Sequence, residues 1–255
     1  MMKFWILPSL LLALLAPAAL PAQTVLLLST GSSTLDTQTK SVLERSGATV
    51  SIGSQYTTFS AAELTGIDVV LLFPNNNWGS GDMPLASQTA LVNFVNDGGG
   101  LVTSEWTNWK VGANTFANLA PILPVVSTTQ YTGGSNITYS QSTADGLLNA
   151  GLPANFTFTG DNFAGVESFF TAKQGASVFY TSSGGAGGAG VVGWDYGAGR
   201  ALQFSTTLGP LGLADDNLSR LFQNSVQWAA VPEPSTYVLL LLGLGAVARF
   251  CLRRR

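Results

Sequence analysis

The stretch Asp68-Val69-Val70-Leu71-Leu72-Phe73, followed by Pro74-Asn75-Asn76-Asn77-Trp78-Gly79-Ser80-Gly81-Asp82, decides the fold. Its apolar residues run without polar alternation, so both faces of the strand they form must be covered. Residues 84–96 then place Leu85, Leu91, Val92 and Val95 at helical spacing. Asp97-Gly98-Gly99-Gly100 stops that helix, and residues 101–104 start another apolar strand. Consecutive strands separated by a helix need a crossover connection, which makes them parallel.

The same pattern holds upstream. Thr24-Val25-Leu26-Leu27-Leu28-Ser29 reads as a buried strand ending at the turn Thr30-Gly31-Ser32-Ser33. A helix over 34–46 carries Leu35, Val42 and Leu43, with Asp36 near its start, Arg45 near its end and Gly47 as terminator. A second strand over 48–52 and a helical turn over 59–64 complete this half. Downstream, strands are expected at 121–126, 137–139, 156–158, 176–181, 191–194 and 201–206, with 182–190 a flexible glycine-rich hairpin loop. A helix over 215–229 closes the domain with Leu218, Leu221, Phe222, Val226 and Trp228. The expected fold class is α/β, a largely parallel sheet with helices on both faces.

Both ends read as targeting segments. Met1-Met2-Lys3, the apolar stretch from Phe4 to Leu15 and the small residues up to Ala22 have the three regions of a secretory signal peptide, so 1–22 is assigned to one. At the other end, Pro232-Glu233-Pro234 precedes an apolar run and then Arg249, Arg253, Arg254 and Arg255. Arginines held on the cytoplasmic side place everything upstream across the membrane. The apolar run is marginal against the ~20 residues of a permanent span, which suits a transient hold. This leaves residues 23–230 as the exported domain and 231–255 as a tail with a short transmembrane helix.

The chain of 255 residues is 46% hydrophobic and 10% charged, with no histidine and one cysteine, Cys251, in the tail. Imidazole-dependent catalysis is therefore excluded, as are thiolate or imidazole metal sites in the exported domain. Setting aside Lys3, Arg249, Arg253, Arg254, Arg255 and Glu233 leaves 6 basic against 13 acidic residues, a net −7, so no nucleic-acid partner is expected.

The tail resembles the PEP-CTERM sorting signal, which combines a Pro-Glu-Pro tripeptide, one hydrophobic helix and an arginine-rich terminus. The resemblance implies an exosortase-type processing enzyme as partner and an inner-membrane hold before processing. The destination it implies is the surface or exopolysaccharide matrix of a Gram-negative bacterium. The exported domain resembles the class I glutamine-amidotransferase-like superfamily, especially its trehalose-utilisation-type branch. Three stretches carry that likeness: Leu-Val-Asn-Phe-Val-Asn-Asp-Gly-Gly-Gly-Leu-Val-Thr at 91–103, Ala-Asp-Gly-Leu-Leu-Asn-Ala-Gly-Leu-Pro at 144–153, and Tyr-Gly-Ala-Gly-Arg-Ala-Leu-Gln-Phe-Ser-Thr-Thr-Leu at 196–208. This likeness implies a flavodoxin-like sheet. Catalytic members carry a cysteine at the turn after a central strand with histidine and glutamate partners, whereas this chain has Ser104-Glu105-Trp106 there.

Other chemistry is thin. Ser104 with Lys110 as base has nothing in the sequence to fix its geometry. Asp215-Asp216-Asn217 reads as a helix cap as readily as a calcium ligand set. In open α/β sheets a ligand crevice forms outside the carboxyl ends of strands where strand order reverses. Loops at 30–33, 75–82 and 105–110 converge there. Asn75, Asn76, Asn77, Trp78, Glu105, Trp106 and Trp109 therefore form the candidate crevice, with Asn108 beside them. Flat indole faces and amides suit a sugar ring; alternatively the tryptophans plug the top of the sheet and the asparagines serve turns. The expected function is a non-enzymatic envelope or matrix protein, without cofactor or metal, that binds partners, polysaccharide among them. The alternatives are a carboxylate-dependent glycan hydrolase using Glu105 with Asp161, Glu167 or Asp195, and a purely structural matrix protein.

Overall fold

The computed structural model describes residues 22–183 and 188–230. The expected signal helix, the tail with its membrane helix, and part of the glycine-rich loop lie outside the described residues. Among the described residues, no helix is long and apolar enough to cross a membrane.

One nine-stranded sheet organises the domain, in the order β2-β1-β3-β4-β13-β12-β11-β7-β8. Its parallel half is β2 (Thr49–Gln55), β1 (Thr24–Ser29), β3 (Val69–Leu72), β4 (Gly100–Thr103) and β13 (Gly199–Phe204). The antiparallel half adds β12 (Ala189–Tyr196), β11 (Ser177–Ser182), β7 (Asn136–Gln141) and β8 (Asn155–Thr159). The parallel α/β half is the part foreseen from the apolar runs. The antiparallel wing extends it through the β11–β12 and β12–β13 hairpins and then through β7 and β8, which are reached by longer loops; antiparallel neighbours need no helical crossover. Two small two-stranded ladders lie outside the main sheet: β5 (Val125–Val126) with β10 (Thr171–Ala172), and β6 (Tyr131–Thr132) with β9 (Glu167–Ser168).

Helices cover both faces. On one face α1 (Ser33–Glu44) and α4 (Asp216–Ala229) pack Val42, Leu43, Leu218, Leu221 and Phe222 against Val25, Leu27, Leu71 and Leu202. On the other, α2 (Leu85–Asn96) sets Leu91 and Val95 against Leu26, Leu28, Val70 and Leu101. All four residues of β3 and of β4 are buried, as runs without alternation require. Gly100 shows how closely the layers meet: a Cβ there would lie 2.5 Å from the carbonyl oxygen of Ala229. Asp215 caps α4, its carboxylate accepting from the amides of Asn217 (3.0 Å) and Leu218 (2.9 Å), and Asp216 stands in the first turn of the helix.

Two sequence expectations are corrected. Residues 105–110, expected as a loop, belong to α3 (Glu105–Gly112). It shows little amphipathic period because Glu105, Trp106, Thr107, Asn108, Lys110 and Val111 are all buried, polar and apolar together. The strand expected over 121–126 shrinks to Val125–Val126. The apolar residues before it, Leu119, Ile122 and Leu123, fill the core from a 3-10 segment (Ala117–Leu119) and the turn after it.

Candidate functional site

Strand order reverses beside β1: the chain runs from β1 to β2 on one flank and then to β3 on the other. The loops after β1 and β3 meet there, and side chains draw them together. Asn77 donates to the carbonyl of Ser29 (3.1 Å) and to Oε1 of Gln55 (3.0 Å). Asn76 reaches the carbonyl of Gly31 at 3.5 Å. Asn75 donates to the carbonyl of Leu208 (3.0 Å), and its Oδ1 accepts from Ser104 Oγ (3.4 Å). Asp36 braces the β1 loop, accepting from the Thr30 amide (2.9 Å), Thr30 Oγ1 (2.7 Å) and Ser29 Oγ (2.7 Å). The asparagines therefore act as loop staples. Asn75 and Asn77 are buried, and Asn76 is exposed.

The three tryptophans do meet. Trp78, from the β3 loop, stacks on Trp106 of α3 with centroids 4.7 Å apart and planes 11° from parallel. Trp109 sits edge-on to both, at 5.4 Å from Trp106 and 6.3 Å from Trp78. Tyr131 on β6 adds a fourth ring at 5.7 Å from Trp106. Trp106 is 2% exposed, so it is the floor of the cluster. Trp78 and Trp109 are half-buried and Tyr131 is exposed; their outer faces form the accessible aromatic surface. Tyr131 was not foreseen, because a two-residue strand whose place depends on β9 leaves no periodic signal.

Glu105 opens α3 directly after β4, where its charge would suit the positive helix end. It is fully buried, and neither carboxylate oxygen has a hydrogen-bond partner among the described residues. Gly165 closes over it: a Cβ there would lie 2.6 Å from Oε1 of Glu105. Burial, with a smaller contribution from the Glu167 charge, lifts the Glu105 pKa from 4.5 to about 8. The acid is therefore mostly protonated at neutral pH. Glu167 is also fully buried and accepts from Ser205 Oγ at 2.5 Å. Burial raises it too, opposed by the hydroxyls of Ser182 and Ser205.

The other acids weighed for hydrolysis are spread apart in role. Asp161 accepts from the amides of Leu211 (2.9 Å) and Gly212 (2.8 Å), tying the turn before α4 to the end of β8. Asp195 pairs with Arg200 at 2.8 Å and is the one of the four exposed to solvent. Lys110 points away from Ser104. Its amine donates to the Gly81 carbonyl (2.7 Å), lies 3.7 Å from Asp82 and sits over the Tyr56 and Phe116 rings. A Ser104–Lys110 dyad is not assembled. No group of three or more acidic, cysteine or histidine residues suited to a metal ion occurs among the described residues.

Residues 230–255 match the PEP-CTERM protein-sorting motif, which covers Pro232, Glu233, Pro234, Arg253, Arg254 and Arg255. No curated protein matches the chain. Among solved structures, the domain is similar to a protein described as ThuA-like from Bacteroides uniformis, with 12% identity, 86% of this chain and 97% of that chain covered, and a TM-score of 0.63. It is also similar to a ThuA-like protein from Parabacteroides merdae (15% identity, 83% and 90% covered, TM-score 0.57). A cytoplasmic protein from Salmonella typhimurium LT2 aligns with 15% identity, 81% and 99% coverage and a TM-score of 0.60. At such identities the likeness is one of fold, and it agrees with the trehalose-utilisation-type resemblance read from the sequence.

Proposed function

We propose that the chain is an exported cell-envelope or matrix protein, processed by an exosortase-type enzyme, whose layered domain binds carbohydrate and performs no catalysis. The sorting motif at residues 230–255 supports the routing, since such a motif goes with export and a membrane-held precursor. Binding is supported chiefly by one observation: Trp106, buried and stacked, holds the half-buried Trp78 and Trp109 as a preset aromatic surface. Rigid aromatic planes lose little conformational freedom on binding and stack well on the apolar face of a sugar. The lack of catalysis is supported by the absence of histidine from the chain, by the anchoring of Ser104 on Asn75, and by the burial of Glu105 and Glu167. A glycosidase needs its two acids across an open cleft.

The test is a glycan array probed with the purified chain and with a Trp78→Ala, Trp109→Ala double variant. Expected is binding to at least one neutral polysaccharide, weakened tenfold or more in the variant. Equal binding by both proteins, or none by either, removes the carbohydrate reading and leaves a structural matrix role.

A further inference from the structure

The sheet has two edges, and they are built differently. At the β2 edge, Lys40 Nζ donates to the Val50 carbonyl, Glu63 Oε2 accepts from the Ser54 amide at 2.9 Å, and the register against β1 slips between Leu28 and Ser29. Charged side chains on outward backbone groups, together with a bulge, are devices by which proteins blunt an edge against pairing. The β8 edge has none of them. Its sequence Asn155-Phe156-Thr157-Phe158-Thr159 contains no charge and no proline, and its five-residue register with β7 is continuous.

The ladder also says which backbone groups of β8 point away from β7; of these, the Thr159 carbonyl lies near Gly212, a Cβ there being 3.8 Å from it. Gln141 donates to Ala154 (2.7 Å) and Gly160 to Ser135 (2.7 Å), so hydrogen-bonded pairs fall at 141/154, 139/156, 137/158 and 135/160. By the antiparallel alternation, the N–H and C=O groups of Asn155, Thr157 and Thr159 point outward, away from β7. Phe156 and Phe158 face the core at 6% and 3% exposure, and Asn155, Thr157 and Thr159 are exposed.

What fits that edge is visible in what already pairs with β8. Reading along β7, its residues are Asn136, Ile137, Thr138, Tyr139 and Ser140. Reading along β8 itself, they are Asn155, Phe156, Thr157, Phe158 and Thr159: amide, apolar, threonine, aromatic, hydroxyl in the same order. A second β8 therefore offers the first one the chemistry that β7 offers, antiparallel and in the same register. We propose that β8 is a docking strand for a second copy of this chain, paired antiparallel about a two-fold axis at Thr157, so that two sheets join into one. Phe156 then lies opposite Phe158 of the partner subunit on the core side, and Asn155 opposite Thr159 of the partner subunit on the solvent side. The solvent-facing positions of β7 and β8, Asn136, Thr138, Ser140, Asn155, Thr157 and Thr159, bring no like charges together. An isologous contact of this kind closes on itself. Five paired residues make a small contact against the ~1,200 Å² of a stable interface. Pairing is therefore weak in dilute solution and grows with local concentration, a condition met by chains held side by side in one membrane.

The full chain allows a direct test, because Cys251 is its only cysteine and Cys251→Ser removes it. In that background, Thr157→Cys is oxidised with copper phenanthroline in membranes of cells exporting the chain. Directly opposed hydrogen-bonded positions hold their Cα atoms ~5.5 Å apart, within the ~4.4–6.8 Å range of a disulfide. Expected is a disulfide dimer of twice the chain's mass, forming at least tenfold faster than with Thr138→Cys, one strand inward. Adding Asn155→Lys and Thr159→Lys, which face each other across the axis on exposed positions, slows it tenfold or more without moving the melting temperature. A second readout is sedimentation of the Cys251→Ser chain in detergent, where a concentration-dependent dimer is lost on Thr157→Lys. Overturning results are equal rates at 157 and 138, indifference to the added lysines, a monomer at every concentration, or cross-linking only to a protein of different mass.

Discussion

Replacing Glu105 by glutamine separates the charge of this side chain from its shape. In the folded protein the carboxyl is fully buried with both oxygens unpartnered, and its pKa stands at about 8 against an ordinary 4.5. Between those two pH values the native state holds a proton that the unfolded state has released, so stability declines as pH rises. The contribution is complete below 4.5 and is lost by about 8. Each pKa unit corresponds to ~1.4 kcal/mol, so the whole window removes about 5 kcal/mol, against a total stability of ~5–15 kcal/mol for an ordinary domain. Glu105→Gln removes the titration without breaking a hydrogen bond. The difference in unfolding free energy between variant and wild type should therefore widen in the variant's favour by ~1.4 kcal/mol per pH unit across the window. At ~2–4 °C per kcal/mol for a domain of this size, that is a divergence in melting temperature of roughly 3–6 °C per pH unit. Urea unfolding at half-unit pH steps, with and without 0.5 M salt, is the assay; burial makes the effect insensitive to salt. Parallel pH profiles for the two proteins would refute the reasoning.

Two further perturbations probe the frame around the site. Trp106→Ala removes the floor of the aromatic cluster and should cost ~3–5 kcal/mol in urea unfolding, whereas Trp78→Ala, half-buried above it, should cost less than half as much. Gly100→Ala places a methyl 2.5 Å from the Ala229 carbonyl. Pushing α4 off β4 should lower stability by ~1–3 kcal/mol, read as a drop in melting temperature.

The parallel half was legible because Val25 to Leu28 and Val69 to Leu72 are apolar at every position, a pattern that only a doubly covered strand explains. Helix α3 was hidden for the opposite reason. It buries Glu105, Asn108 and Lys110 alongside Trp106, so polarity no longer reports which face points inward. Strands β5, β6, β9 and β10 are two residues long each, and tertiary contacts place them without any period of their own. At the site, the topological rule was enough to gather Trp78, Trp106 and Trp109. It could not say that Trp106 lies beneath the other two, or that Asn75 and Asn77 turn inward to staple loops. Those outcomes depend on side-chain partners such as Leu208 and Gln55, which are remote in sequence.

The place of β13 has a consequence for how the chain comes to be folded at all. This strand is synthesised late, yet it sits between β4 and β12 in the middle of the sheet. Until Gly199–Phe204 has emerged, one flank of β4 is bare and the antiparallel wing has no seam to attach to. Contacts between segments so distant along the chain form slowly. The early strands therefore cannot close into the finished sheet until residues 199–204 are available. Only the turns over 205–215, α4 and the sorting motif at residues 230–255 follow this keystone in sequence, so closure of the sheet waits for nearly the whole chain.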